Sequence, residues 1–188
     1  RSPYTWGMNS AKTQITRKNV SAPMRWIVNN LYFSPFEDVL HFGEGKAFED
    51  TRLLSNPPYG SGPLVFAYDP NSPDVYKRDR QRLHPEFITY AHGVSIYVFN
   101  TLLPSEREMA FGDMMRCCDN LIIAVRTDKV NGTPVLGYDG VTTSRDTFQT
   151  QLSADAWVEW FERVSPDRTS VEVLHKTSTY VILGIKRK

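Results

Sequence analysis

The chain has 188 residues, with 12 Pro, 11 Gly and 40% apolar side chains, the makings of one domain over residues 1–188 with a substantial core. Twenty-two Lys and Arg against 21 Asp and Glu leave a formal charge of +1, which excludes a generally basic, histone-like binder but not a local basic patch. The longest uncharged apolar runs, such as Leu121 to Val125, fall far short of the roughly 18 residues that a membrane span requires.

Residues 1–20 are polar and mixed, and read as an N-terminal arm lying across the surface of the domain; they hold no apolar run of the length that a signal peptide needs. Ser21, Ala22 and Pro23 predict a helix start, a hydroxyl cap followed by Pro in the first turn. Met24, Ile27, Val28 and Leu31 then recur on one face, up to Pro35. Val39 to Phe42 predicts a short strand ending in Gly43-Glu44-Gly45, and Lys46 to Ser55 a helix with a weak apolar stripe. Pro57 to Gly62 must be a loop. Leu64 to Tyr68, an almost unbroken apolar run, predicts a strand covered on both faces and stopping at Asp69-Pro70. Residues 71–92 are polar, with one or two helical turns between Lys77 and Arg82.

Val94 to Phe99 predicts the next buried strand, ending at Asn100. Pro104 to Cys118 is an amphipathic helix with Ala110, Phe111, Met114, Met115 and Cys118 inward, and Leu121 to Val125 a further strand. Residues 127–149 read as a long loop or hairpin. Ser153 caps a helix with Trp157, Val158, Phe161 and Val164 inside, and two strands, Val171 to Leu174 and Tyr180 to Ile185, close the chain. This alternation predicts an α/β three-layer sandwich around a mostly parallel sheet, with an antiparallel C-terminal hairpin at one edge. Ligands of such sheets sit outside the carboxyl ends of the strands, where the glycine turn, Asp69, Asn100 and the 127–149 segment all fall.

Each of these features carries two readings. Two glycines between strand and helix let bare backbone approach a ligand, or simply turn the chain. Asp69, 26 residues after Gly43, can accept both hydroxyls of a ribose or cap a turn. Asn100 hydrogen-bonds a ligand or caps the helix near Pro104. Arg145 can hold a phosphate or carboxylate in bidentate fashion, and Phe148 can stack, unless the segment is a solvated hairpin. Asn56-Pro57-Pro58-Tyr59 matches the tetrapeptide with which amino-directed DNA methyltransferases grip a flipped base, but it stands before the second strand and reads as a loop. His41, His84, His92 and His175 lack metal-ligand spacing, so no metal is expected, and the adjacent Cys117 and Cys118 read as reduced core residues of a cytoplasmic protein. Lys12, Arg17 and Lys18, and Lys77 to Arg82, are basic clusters that read as solvated faces.

With these residues in view, the chain resembles the class I S-adenosylmethionine-dependent methyltransferases, and more narrowly the methyltransferase-like family associated with bacterial DNA phosphorothioation systems. The likeness runs from about residue 12 to residue 163 through Lys12 to Arg17, Ser21-Ala22-Pro23, the glycine turn, and Tyr68-Asp69-Pro70-Asn71-Ser72-Pro73. It continues with Tyr97 to Thr101, Glu106-Arg107, Asp139-Gly140 and the distinctive Thr143 to Gln149. The resemblance implies a Rossmann-like methyltransferase sheet of the seven-strand type with helices on both faces. It implies S-adenosylmethionine over Gly43 and Gly45, with His41, Glu44 and Asn100 beside it and Asp69 on the ribose. Asn100, Arg145 and Gln149 would then orient an acceptor, expected to be nucleic acid or a nucleotide, in DNA modification. His41 stands where the general pattern has an acid, and Ala47 near its third glycine. These departures make a catalytically degenerate binding module one alternative; a small-molecule methyltransferase is the other, since the length leaves no room for a separate target-recognition domain.

Overall fold

The computed structural model describes residues 10–13, 17–69 and 89–188. The sequence expectations for Gln14 to Thr16, Pro70 to Pro73, the Lys77 to Arg82 turns and His84 lie outside them. The described chain runs through helix α1 (Ala22–Asn30), strand β1 (Asp38–Phe42), α2 (Phe48–Ser55), β2 (Leu64–Tyr68), β3 (Tyr90–Ile96), α3 (Pro104–Cys117) and β4 (Cys118–Arg126). There follow three short strands, β5 (Thr133–Pro134), β6 (Gly140–Thr142) and β7 (Phe148–Thr150), then α4 (Ala154–Val164), β8 (Thr169–Lys176) and β9 (Tyr180–Arg187).

The main sheet has the order β2-β1-β3-β4-β9-β8, and β5, β6 and β7 form a small sheet of their own. Strands β2, β1, β3 and β4 are parallel, whereas β9 runs antiparallel to both β4 and β8. The expected antiparallel hairpin is therefore present, but its second strand is inserted inside the sheet and its first, β8, forms the edge. Side-chain alternation assigns the layers. Leu121, Ile123 and Val125 join α3 and α4 in one core, while Ile122 and Ala124 join α1 and α2 in the other. On β9, Val181, Leu183 and Ile185 belong to the first core and Tyr180 and Ile182 to the second, which keeps the register with β4.

Helix α1 starts as its sequence demands: the Ser21 hydroxyl accepts the Met24 amide and itself donates to Asp50 of α2, whose carboxylate also takes the Ser21 amide at 2.7 Å. The first core is aromatic, with Trp157, Trp160 and Phe161 of α4 packed among Phe99 and Phe111. Trp160 is a further inward residue that the sequence did not single out, while Val158 and Val164, half-buried, pack against the same core as expected.

Several boundaries differ from the expected ones. Strand β3 ends at Ile96, not Phe99, because Tyr97 turns to φ 58° and the chain enters a short 3-10 turn at Phe99–Thr101. Leu64 is exposed, so β2 is not covered on both faces along its length. The 127–149 segment is neither loop nor single hairpin but carries most of the small sheet. At Gly93 on β3, a Cβ would lie 2.7 Å from the Cys118 sulfur and 3.1 Å from Met114 Cε and Leu121 Cδ2. Gly93→Ala is expected to destabilise the protein by about 1–3 kcal/mol through overpacking, measured by urea unfolding.

Candidate functional site

The chain lays β2 on one side of β1 and then crosses back to place β3 on the other, so the strand order reverses between β1 and β3. Outside the carboxyl ends of parallel strands, such a reversal opens a crevice. The residues that follow β1, β2, β3 and β4 all converge on this edge.

After β1, Gly43 and Gly45 adopt φ 77° and 57°, a conformation that side-chain-bearing residues rarely take. The turn is fastened to the end of β2: the Gly43 and Glu44 amides donate to the Tyr68 carbonyl, and the Gly45 amide donates to Asp69 Oδ2 at 2.8 Å. Asp69 is 3% exposed. The two features that the sequence suggested as a pair thus touch directly. With the amides engaged, the carbonyls of the half-buried Gly43 and the buried Gly45 accept no bond among the described residues.

Beneath the turn, His41 is buried and its Nδ1 lies 2.8 Å from the Thr51 hydroxyl of α2, which donates to Glu44. Because the hydroxyl proton goes to the carboxylate, the imidazole donates through Nδ1. His41 thus braces β1, the turn and α2. Burial pushes its pKa down to about 4, against the opposing pull of the Asp50 charge. An unfolded imidazole takes up its proton near pH 6.5, so the stability tied to the neutral ring is complete above that value. It is lost as pH falls toward 4, by at most about 1.4 kcal/mol per pH unit. The urea midpoint is expected to drop across this window, and His41→Gln to flatten the drop.

The crevice's other side comes from β3 and β4. Tyr97 is a bulky residue held at φ 58°, an arrangement that concentrates at functional sites. The Arg17 guanidinium covers its ring at 5.2 Å, and Tyr180 meets it edge-on. Burial pushes the phenol up to about 12 despite Arg17 and Arg126, so it stays protonated. Asn100 is buried; its amide donates to Gln149 Oε1 at 3.1 Å and its carbonyl accepts the Arg126 amide at 3.4 Å. It does not cap the following helix, whose N-cap is Leu103. Asn100 and Gln149, 49 positions apart, are therefore brought together.

Arg145 does not join that pair. It lies at the exposed tip of the β6–β7 turn, beside a cavity of about 210 Å³ that also includes Gln149, Arg126 and Lys12. Phe148 is half-buried and meets Tyr138 edge-on. The small sheet is anchored from below by Arg107 of α3, fully buried, which donates to Asp139 and to the Leu102 carbonyl. Sequence reasoning passed over Thr51 and Arg126 and gave Arg107 no role beyond its place in the resemblance, although it stands as a charge on the apolar face of a helix.

Asn56 to Tyr59 lies before β2, on the opposite edge of the sheet, where the Tyr59 hydroxyl bonds the backbone of Phe33. Among the described residues, no group of His, Cys, Asp and Glu is placed to hold a metal ion, and no helix is long and apolar enough to cross a membrane.

No protein-family model and no curated protein matches the chain. Solved structures do. PigF with SAH superposes with a TM-score of 0.59 at 12% identity over 88% of this chain and 55% of that one. The Burkholderia thailandensis 1,6-didemethyltoxoflavin-N1-methyltransferase, with bound 1,6-didemethyltoxoflavin and S-adenosylhomocysteine, gives 0.59 at 12% over 89% and 79%. The small RNA methyltransferase HEN1 gives 0.61 at 13% over 94% and 26%. The chain spans about half the length of the first and a quarter of the last. What is shared is the fold: a mixed α/β, Rossmann-like architecture of the class I methyltransferase type.

Proposed function

We propose that the protein binds S-adenosylmethionine and transfers its methyl group to a nucleic acid or nucleotide. The observation that carries this reading is the contact of Asp69 with the Gly43–Gly45 turn at the point where the strand order reverses. That arrangement fits the cofactor's two ends: glycine carbonyls that accept no bond among the described residues suit an ammonium-bearing tail, and a buried strand-end carboxylate suits ribose hydroxyls. When bound, the sulfonium supplies an electrophilic methyl carbon to a nucleophile aligned behind it.

The chain's own work is then positioning, which lowers the barrier by holding the reactants in line. Asp69 and the turn fix the nucleoside and its tail, with His41, Thr51 and Glu44 bracing the turn from below. Asn100 and Gln149 present their amides toward the acceptor side, and Arg145 orients the acceptor. The nucleic-acid or nucleotide preference is supported by the family resemblance of Thr143 to Gln149 and by the cationic cavity beside them.

Isothermal titration of the protein with S-adenosylhomocysteine tests the core of this reading. One-site binding is expected, and its absence overturns the proposal. Binding without transfer to oligonucleotides, nucleotides or small heterocycles would favour a methyltransferase-like binding module, the alternative that His41 in an acid's usual place raises.

A further inference from the structure

The cavity between the N-terminal arm and the small sheet has a chemical character of its own. Among the described residues, three cationic side chains line it, Lys12, Arg126 and Arg145, and no carboxylate does. Apart from the aliphatic Val130, the rest of the described lining is hydroxyl and amide groups. Such a wall cannot offer an apolar ring much contact, but it can surround an oxyanion with hydrogen-bond donors. At about 210 Å³ the cavity is below the roughly 300–1,000 Å³ of sites that enclose whole small molecules. It is the size for one group of a larger ligand.

The three cations are held differently. Arg126 is clamped by Asp128 through two of its nitrogens, one at 2.9 Å, which fixes its direction. Lys12 meets Asp146 only at 3.8 Å, with both side chains more than half exposed, a pair that an incoming anion exchanges readily. The Arg145 guanidinium has no partner among the described residues. Its backbone nevertheless sits in a rigid tip. The Thr143 and Thr147 hydroxyls bond at 2.7 Å, the Thr143 amide donates to the Thr147 carbonyl, and the Asp146 amide donates to the Thr143 carbonyl. Gln149 lines the same cavity while bonding Asn100, which ties the anion's position to the crevice above β3.

We propose that this cavity is a subsite for one phosphate group of the acceptor, gripped by Arg145 and Lys12 with Arg126 as the fixed third cation. The proposal rests on the methyltransferase reading for the word acceptor, but the phosphate site stands on the cavity itself. Bidentate recognition by a planar guanidinium makes Arg145 the main contributor. The shared chemistry is a phosphate ester, from either a free nucleotide or a nucleic-acid backbone.

The test is calorimetric, with S-adenosylhomocysteine saturating so that its own site is filled. The probes are inorganic phosphate, AMP, adenosine and oligothymidylate. AMP is expected to bind at least tenfold more tightly than adenosine. Arg145→Ala should remove that advantage, Arg145→Lys should restore only part of it, Lys12→Ala should cost less, and Asp146→Asn should cost nothing. Tighter binding of oligothymidylate than of AMP, lost in the same variants, assigns the phosphate to a nucleic-acid backbone, and the reverse order to a free nucleotide. The proposal is overturned if wild type binds none of the phosphate probes, if AMP and adenosine bind equally, or if the Arg145→Ala, Lys12→Ala double variant keeps wild-type phosphate affinity. Affinity for S-adenosylhomocysteine, measured alone on the double variant, should match wild type. Its loss in wild type sinks the methyltransferase reading without touching the phosphate result.

Discussion

Arg107→Ala is expected to destabilise the protein by about 3–5 kcal/mol, the range found when one partner of a buried ion pair is removed. The guanidinium is 0% exposed, donates to the Leu102 carbonyl and to Asp139, and has its carbon 5.3 and 5.2 Å from the ring centroids of Trp157 and Trp160. Truncation removes all four interactions and leaves a cavity between α3 and α4. Asp139 keeps 27% of its side chain in contact with solvent, which softens the loss of its partner and places the result toward the lower end. Urea unfolding reads this directly. A loss below about 1 kcal/mol would show that the arginine is not the strut joining the small sheet to the main core. Arg107→Met with Asp139→Asn should recover part of the loss, because the pair is then replaced by groups that need no charge compensation. Phosphate binding should suffer with the single variant, since Asp139 lies in the segment that carries Arg145 and Gln149.

Asp69→Ala is expected to weaken S-adenosylhomocysteine binding tenfold or more, equivalent to about 1.4 kcal/mol. Two effects combine in this variant. The carboxylate that would accept ribose hydroxyls is gone, and the buried Gly45 amide loses its acceptor, at a cost of roughly 1–3 kcal/mol in stability. Asp69→Asn separates them. Its amide oxygen can still take the Gly45 N–H, so stability should largely return, while ligand affinity stays low if the charge is what the hydroxyls require. Calorimetry and urea melts on the two variants give four numbers for the two effects. Wild-type affinity in both variants would remove Asp69 from the binding site and leave it as a turn brace.

Much of this edge was legible along the chain. The glycine turn and Asp69 each close a strand whose apolar run stops abruptly, and parallel strands bring such stops to one side. Asn100 was legible as a strand-end polar residue, although the strand was read three residues too long because Val98 and Phe99 continue its apolar run. Those two side chains are buried as expected, yet the backbone leaves the sheet at Tyr97. Apolar content reports burial, and a residue can be buried in a turn as well as in a strand. Similarly, His41 reads as an exception to a cofactor pattern in the sequence but becomes a brace once Thr51 and Glu44 are seen around it.

Local chemistry in the sequence was enough to determine the succession of the main-sheet strands and the described helices around them, the two-sided burial of the central sheet and the edge at which polar groups gather. Each depends on periodicity or on a stop signal a few residues long. Tertiary structure alone decided that β9 inserts between β4 and β8, that Arg107 is interred against two tryptophans, and that Lys12, Arg126 and Arg145 share one cavity. These are meetings between residues far apart in the chain, set by how whole layers pack. A charged side chain looks the same in a sequence whether it ends in solvent, in an ion pair or opposite another cation, and only the packed layers distinguish those fates.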